Sequence, residues 1–170
     1  IGKLSLLSSE ERRQLVTVFA HGERRPPWDS PVYRRIEDYA GKQPNALAIT
    51  AAGQMLTYGE INRRANRLAH YLRKRDIGPD TLVALFTTRT PEMVIAQLAI
   101  SKGGGAFLSI DPAYPAARVA FCIEDAGVHA LLAERALSSR LQAMPVSAEK
   151  IILIDALPAE VDAQPDHNPS

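Results

Sequence analysis

LVALFTTRTPEMVIAQLAISKGGGAFLSI, residues 82–110, is the stretch on which the fold turns. Leu82–Phe86 is a short, uninterrupted apolar run, the pattern of a strand buried on both faces. Thr90 then stands at a helix N-cap, Pro91 at the first helical position, and Glu92 where its charge meets the positive end of the helix dipole. The spacing predicts a helix running to Lys102, closed by Gly103-Gly104-Gly105, and a second strand over Ala106–Ile110. Strand, helix and strand joined over this distance make a crossover unit, whose strands lie parallel.

Downstream the alternation continues. A helix is expected over Pro115–Ala126, closed by Gly127, then a strand over Val128–Leu132, a helix over Ala133–Gln142 and a last strand over Ile151–Ile154. The expected fold class is therefore α/β, a mostly parallel sheet flanked by helices on both faces.

Upstream, Ala46–Thr50 and Gln54–Tyr58 read as two short strands joined across Ala51-Ala52-Gly53, a hairpin. Thr57 with Glu60 three residues on forms a capping box that opens the longest helix. Ile61, Ala65, Leu68, Ala69 and Leu72 recur along it as one buried stripe, and Asp76-Ile77-Gly78-Pro79 ends it. Another helix, with Val32, Ile36, Tyr39 and Ala40 on one side, runs from Val32 to near Gly41 and Pro44.

Residues 1–31 are of a different kind. Ser8 and Glu11 make a capping box before the apolar stripe Leu15, Val16, Val18 and Phe19. Gly22 and the run Arg24-Arg25-Pro26-Pro27-Trp28-Asp29-Ser30-Pro31 then break helical spacing, because proline removes an amide donor and restricts its predecessor. This segment reads as a linker that docks on a neighbour, and residues 32–170 as one domain. Residue 1 is Ile, and both ends read as cuts through a longer polypeptide.

The 170 residues are 46% hydrophobic and 23% charged, the composition of a folded domain and not of a disordered chain. A formal charge of +1 argues for a small-molecule or protein partner, with no nucleic acid and no membrane surface. No apolar run reaches the roughly 18–20 residues of a membrane span. The lone Cys122 has no internal disulfide partner, which fits a reducing, cytoplasmic setting.

No residue pattern carries catalysis. Gly103-Gly104-Gly105 follows a helix and precedes a strand, with Lys102 before it, the reverse of a phosphate loop, so a helix cap and turn is the better reading. Asp111-Pro112 and Tyr114-Pro115 fall where a strand ends and a helix begins, at the sheet edge where ligands gather. With no second carboxylate close by in sequence, Asp111 reads as a turn former before a metal ligand. His21, His70, His129 and His167 are too widely spaced for a local metal pattern. Arg63, Arg64 and Arg67 read as the solvated face of a helix.

Two motifs carry a resemblance. LTYGEINRRANRLAHYL at 56–72 and SKGGGAFLSIDPAYP at 101–115 resemble, in order and spacing, the first two core motifs of adenylation domains of nonribosomal peptide synthetases, in the adenylate-forming superfamily. LSLLSSEERRQL at 4–15 is similar to the family's segment between an upstream condensation or epimerisation domain and the adenylation domain. VYRRIEDYAGKQPNALAIT at 32–50 and TRTPEMVIAQLAISKGGGAFLSIDPAYPAARVAFCIEDAG at 88–127 extend the likeness over nearly the whole chain. Gly103 and Ser109 stand where the family more usually has Ala and Pro.

The resemblance implies the N-terminal subdomain of the large lobe, preceded by its linker. It makes Leu56, Thr57, Tyr58, Glu60, Lys102, Gly104, Gly105, Asp111, Pro112, Tyr114 and Pro115 motif positions of a structural kind. It carries no catalytic, cofactor-binding or metal residue onto this chain, because the family's Lys-bearing phosphate loop is expected shortly after Asp166-His167-Asn168-Pro169-Ser170. For the parent protein it implies amino-acid activation with ATP and magnesium, transfer to the phosphopantetheine of a carrier domain, and an MbtH-like protein as a candidate accessory. The fragment alone is expected to be inactive. Two other readings stand beside this one: a truncated, non-catalytic docking or scaffold module, and a small standalone nucleotide-binding protein.

Overall fold

The computed structural model describes residues 7–20, 30–51, 53–142 and 144–170. The chain divides into two compact units, Ile1–Pro31 and Val32–Ser170. The expected break at residues 21–29, with His21, Gly22 and most of the proline run, lies outside the described residues, as does Ala52 in the hairpin turn.

In the first unit, α1 (Ser9–Arg13) opens on the expected capping box: Ser8 Oγ accepts from the Glu11 amide while the Glu11 carboxylate takes the Ser8 amide at 2.8 Å. The helix continues into a wider π-helical turn over Gln14–Phe19. Leu15, Val16, Val18 and Phe19 on it are all exposed.

The second unit starts with α2 (Val32–Lys42) and an antiparallel hairpin, β1 (Leu47–Ala51) and β2 (Gln54–Thr57), with Gly53 at φ 77° in its turn. The long helix α3 (Tyr58–Arg73) follows at once. Then come β3 (Leu82–Phe86), α4 (Pro91–Gly103), β4 (Ala106–Ile110), α5 (Ala116–Asp125) and β5 (Ala130–Ala133). After a 3₁₀ turn at Arg135–Leu137, the chain adds α6 (Ser138–Leu141), β6 (Ile151–Leu153) and α7 (Ala159–Asp162).

Strands β4, β3, β5 and β6 lie in that order, and every pairing is parallel. The two-residue period of a strand divides its side chains between two cores. Val83 and Leu85 of β3 and Ala130 and Leu132 of β5 face the core shared with Ile61, Ala65, Leu68, Ala69 and Leu72 of α3 and Ile95, Ala96 and Ala99 of α4. Ala84 and Phe86, with Leu131 and Ala133, face the other, closed by Val119 and Ile123 of α5 and Leu141 of α6. Burial of each large side chain contributes about 1.5–3 kcal/mol, so both helical layers are needed to cover the sheet.

One stretch departs from expectation. The helix expected over Ala133–Gln142 is a strand end, a 3₁₀ turn and one short helical turn. Of that stretch, Ala133 is fully buried and paired with Phe86 as the last residue of β5, which carries the strand expected over Val128–Leu132 one residue further.

Candidate functional site

At the carboxyl edge of the sheet, β3 and β4 end beside each other and their chains turn apart. Between them opens a cleft of about 770 Å³, bordered by Thr87–Thr90 on one side, Ser109–Tyr114 on the other, and Ile49 and Ala51 of the hairpin. This is the place where parallel α/β sheets bind ligands.

Both rims are held by charged side chains that sequence reasoning missed. The buried carboxylate of Glu134, just past β5, accepts from the Thr88 amide at 2.9 Å, from Thr88 Oγ1 and from Thr90 Oγ1. Thr90 thus stands at the α4 N-cap without capping it, its hydroxyl being committed to Glu134. On the other rim, Arg140 of α6 donates to the carbonyls of Pro112 and Tyr114 while its guanidinium lies 5.4 Å from the Phe86 ring centroid. Asp111 Oδ1 accepts from the Ala113 amide at 2.8 Å, which shapes the turn, and the Tyr114 ring lies beneath Arg118. Pro115 forms the N-cap of α5. Glu134 and Arg140 both lay in the stretch read as helix, Ala133–Gln142, and neither carried a signal of its own in the sequence.

The glycine run lies at the opposite edge of β4, one five-residue strand or about 16 Å away. Gly104, at φ 97°, ends α4 in the left-handed conformation. Its amide donates to Ser101 O and that of Gly105 to Ile100 O, and both therefore lack a free hydrogen for an anion. A Cβ on Gly105 would sit 3.2 Å from Ile77, so the glycine serves close packing. Lys102 turns away from the run into the protein, where Nζ meets Glu37 Oε1 at 2.5 Å. Burial lowers the ammonium's pKa from its usual value, and the Glu37 carboxylate partly offsets that. Among the described residues, no group of three or more His, Cys, Asp or Glu side chains is placed to hold a metal ion. These residues do not fit the phosphates of ATP or its magnesium ion.

No residue of the first motif lines the cleft, though Leu56 pairs with Ile49, which does. Leu56 and Thr57 end β2, Tyr58 packs against Tyr39 at a ring separation of 4.5 Å, and Glu60 completes a capping box with Thr57. The Glu60 carboxylate accepts the Thr57 amide at 2.7 Å and its hydroxyl at 2.9 Å, which lowers the Glu60 pKa. The arginines of α3 are more engaged than a solvated face: Arg64 pairs with Glu92 at 2.9 Å and Arg67 with Asp166 at 3.7 Å. The two motifs meet where Lys102 of the second donates to Asn62 Oδ1 of the first at 2.9 Å, and of the second only its end, Ser109–Tyr114, borders the cleft.

Residues 36–169 match the family described as AMP-binding enzyme. The chain is 40% identical over 166 residues to a linear gramicidin synthase of Brevibacillus parabrevis, covering 98% of this chain and 3% of that protein. Tyrocidine synthase 3 of the same organism is 39% identical over 163 residues, covering 96% of this chain and 2% of the relative. The chain therefore spans only a few hundredths of the length of the curated relatives it matches. Among solved structures, the nonribosomal peptide synthetase FmoA3 in its α-methyl-L-serine-AMP-bound form superimposes with a TM-score of 0.72 at 29% identity, over 83% of this chain and 16% of that one. The N-terminal subdomain of Klebsiella oxytoca NpsA shares the fold, with a TM-score of 0.66 at 18% identity over 82% of this chain and 34% of that one. The parallel sheet, the helices that cover it and a family match over most of the chain lead to one conclusion: the chain belongs to the AMP-binding enzyme family.

Proposed function

We propose that residues 32–170 are the N-terminal subdomain of a nonribosomal peptide synthetase adenylation domain, and residues 1–31 the linker from an upstream condensation or epimerisation domain. The parent enzyme activates an amino acid: its carboxylate attacks the α-phosphate of ATP, the aminoacyl adenylate forms and pyrophosphate leaves. The acyl group then passes to the phosphopantetheine thiol of a carrier domain. The observation that carries this reading is the superposition on FmoA3, a synthetase solved with an amino-acid adenylate, together with 40% identity to a gramicidin synthase.

In this reading the chain builds the sheet of the large lobe, and other parts of the synthetase hold ATP and magnesium, beginning with a phosphate-gripping segment that follows Ser170. The exposed Leu15, Val16, Val18 and Phe19 supply the apolar face by which the linker seats on the upstream domain. An MbtH-like protein is a candidate accessory, and the reducing setting inferred from Cys122 makes the enzyme cytoplasmic.

The test is amino-acid-dependent exchange of pyrophosphate into ATP by the full synthetase, over a panel of amino acids. Exchange with one amino acid or a small set supports the reading, with none from the isolated chain. No exchange with any amino acid, with or without an MbtH-like protein, overturns it.

A further inference from the structure

The last residues of the chain make no regular secondary structure, yet they are tied along one face of α3. Asn62, Asn66, His70 and Arg73, spaced by four, four and three residues, line that face. Asn66 Nδ2 donates to Asp166 O at 2.7 Å, His70 Nε2 lies 3.1 Å from His167 O, and Arg73 Nη1 donates to Ser170 O at 2.8 Å. Pro169 is buried between these ties.

Asn168 is the centre of the arrangement. Its side-chain oxygen receives Asn62 Nδ2 and Asn66 Nδ2, each at 3.0 Å, and lies 3.4 Å from Lys102 Nζ. Lys102 is itself held by Glu37 and by Asn62 Oδ1 at 2.9 Å. The amide orientations are dictated by this chain of contacts. Asn62 must present its oxygen to the ammonium and its NH₂ to Asn168, and Asn66 must present its NH₂ to two oxygens. Asn66 is buried and both acceptors of its NH₂, Asp166 O and Asn168 Oδ1, belong to the extended segment, so a shift of that segment leaves this amide without a partner. The network spans α2, α3 and α4, and the last acceptor it needs comes from the extended segment.

We infer that Asn168, backed by the Lys102 ammonium, is a positioning residue for adenylation. It fixes the register in which Asp166–Ser170 crosses α3, and so the point and heading from which the phosphate-gripping segment starts. This rests on the reading of the chain as part of a longer adenylation domain. Asn168 touches no reacting atom; it acts through the segment it seats.

The test uses the full synthetase and two readouts, protection of the peptide 163–170 against cleavage by a protease of broad specificity and pyrophosphate exchange kinetics. Asn168→Leu keeps the size and removes the acceptor. Protection of that peptide is expected to fall about tenfold and the KM for ATP to rise about tenfold, the scale of one charge-assisted hydrogen bond, with kcat changed far less. Asn168→Asp keeps an acceptor facing Lys102 and is expected to restore both. Should Asn168→Leu fail to fold, His70→Phe loosens the segment from its solvent side and is expected to move both readouts the same way by about threefold. Unchanged protection, or lost protection with an unchanged KM, overturns the inference. A wild-type synthetase that exchanges no pyrophosphate overturns the functional reading instead, and protection of the peptide in Asn168→Leu then separates the two failures.

Discussion

Lys102 Nζ lies 2.5 Å from Glu37 Oε1, and the two side chains are 0% and 4% exposed. A lysine that reads in sequence as the last polar residue before a glycine turn is thus one half of a buried ion pair. Desolvating both charges cancels most of their attraction, but removing Lys102 leaves the buried Glu37 carboxylate with only the half-exposed Arg34, 3.1 Å from its Oε2. Lys102→Met is expected to destabilise the domain by about 2–3 kcal/mol, less than a wholly unpaired buried charge would cost, and Lys102→Met with Glu37→Met to recover most of that loss. Urea unfolding of the single and double variants checks this, and equal losses in the two would rule out the ion pair as the cause.

The acid limb of stability traces partly to Glu60. Hydrogen bonds from the Thr57 amide and hydroxyl lower its pKa from 4.5, so the folded state holds the carboxylate ionised at a pH where the unfolded chain has begun to bind a proton. The stabilisation is present in full above the unfolded value and is lost as pH falls through the folded one. Glu60→Gln should therefore melt below wild type near pH 7, with the gap closing as pH falls from the unfolded value through the lower folded one. Melting curves over a series of pH values decide it; a constant gap would assign the effect to packing.

What the sequence made legible is local or periodic. The Thr57–Glu60 and Ser8–Glu11 boxes are contacts over three residues, and the α3 stripe repeats within one helix. The strands over Leu82–Phe86 and Ala106–Ile110 were legible as short apolar runs between helix signals. The Lys102–Glu37 pair spans 65 residues and the Asn66–Asn168 bond 102, and no spacing rule encodes such partners. Glu134 and Arg140 were hidden differently. Ala133–Gln142 has helical composition, but its first residue is claimed by the sheet, and Asp155 accepts the Arg135 amide at 2.8 Å where a helix would begin.

Arg140 holds the Asp111–Pro115 turn by two carbonyls and rests on Phe86. Arg140→Met keeps the apolar stem and removes the donors. A loss of about 1–2 kcal/mol is expected, with faster hydrogen exchange confined to residues 111–115. Uniformly faster exchange across the sheet would show that Arg140 supports the core and not the turn.

Glycines of one composition class should answer in opposite directions. Gly104 has φ 97° and a Cβ there would lie 3.3 Å from Pro79 Cδ, so Gly104→Ala is expected to cost roughly 1–2 kcal/mol. Gly41, inside α2, has open space around the Cβ position and no positive φ. Gly41→Ala should stabilise by about 0.5–1 kcal/mol through the helix propensity of alanine. Thermal unfolding of the two variants side by side gives the signs.

A nucleotide titration separates the remaining readings of the isolated chain. A phosphate site needs backbone amides with free hydrogens, a cation near them or a helix start aimed at the anion. The amides of Gly104 and Gly105 are already donated to Ser101 and Ile100, and Lys102 is spent on Glu37. At the other edge, Thr88 and Thr90, at the start of α4, direct their hydroxyls to the Glu134 carboxylate, a negative group that opposes phosphate there. Calorimetry with ATP and magnesium should therefore show no saturable heat up to about millimolar nucleotide, the weak end of specific binding. Saturable binding would place a nucleotide in the cleft between Thr87–Thr90 and Asp111–Tyr114. Arg89→Ala should then abolish it, since among the described residues Arg89 is the arginine that lines that cleft and no other lysine or arginine borders it.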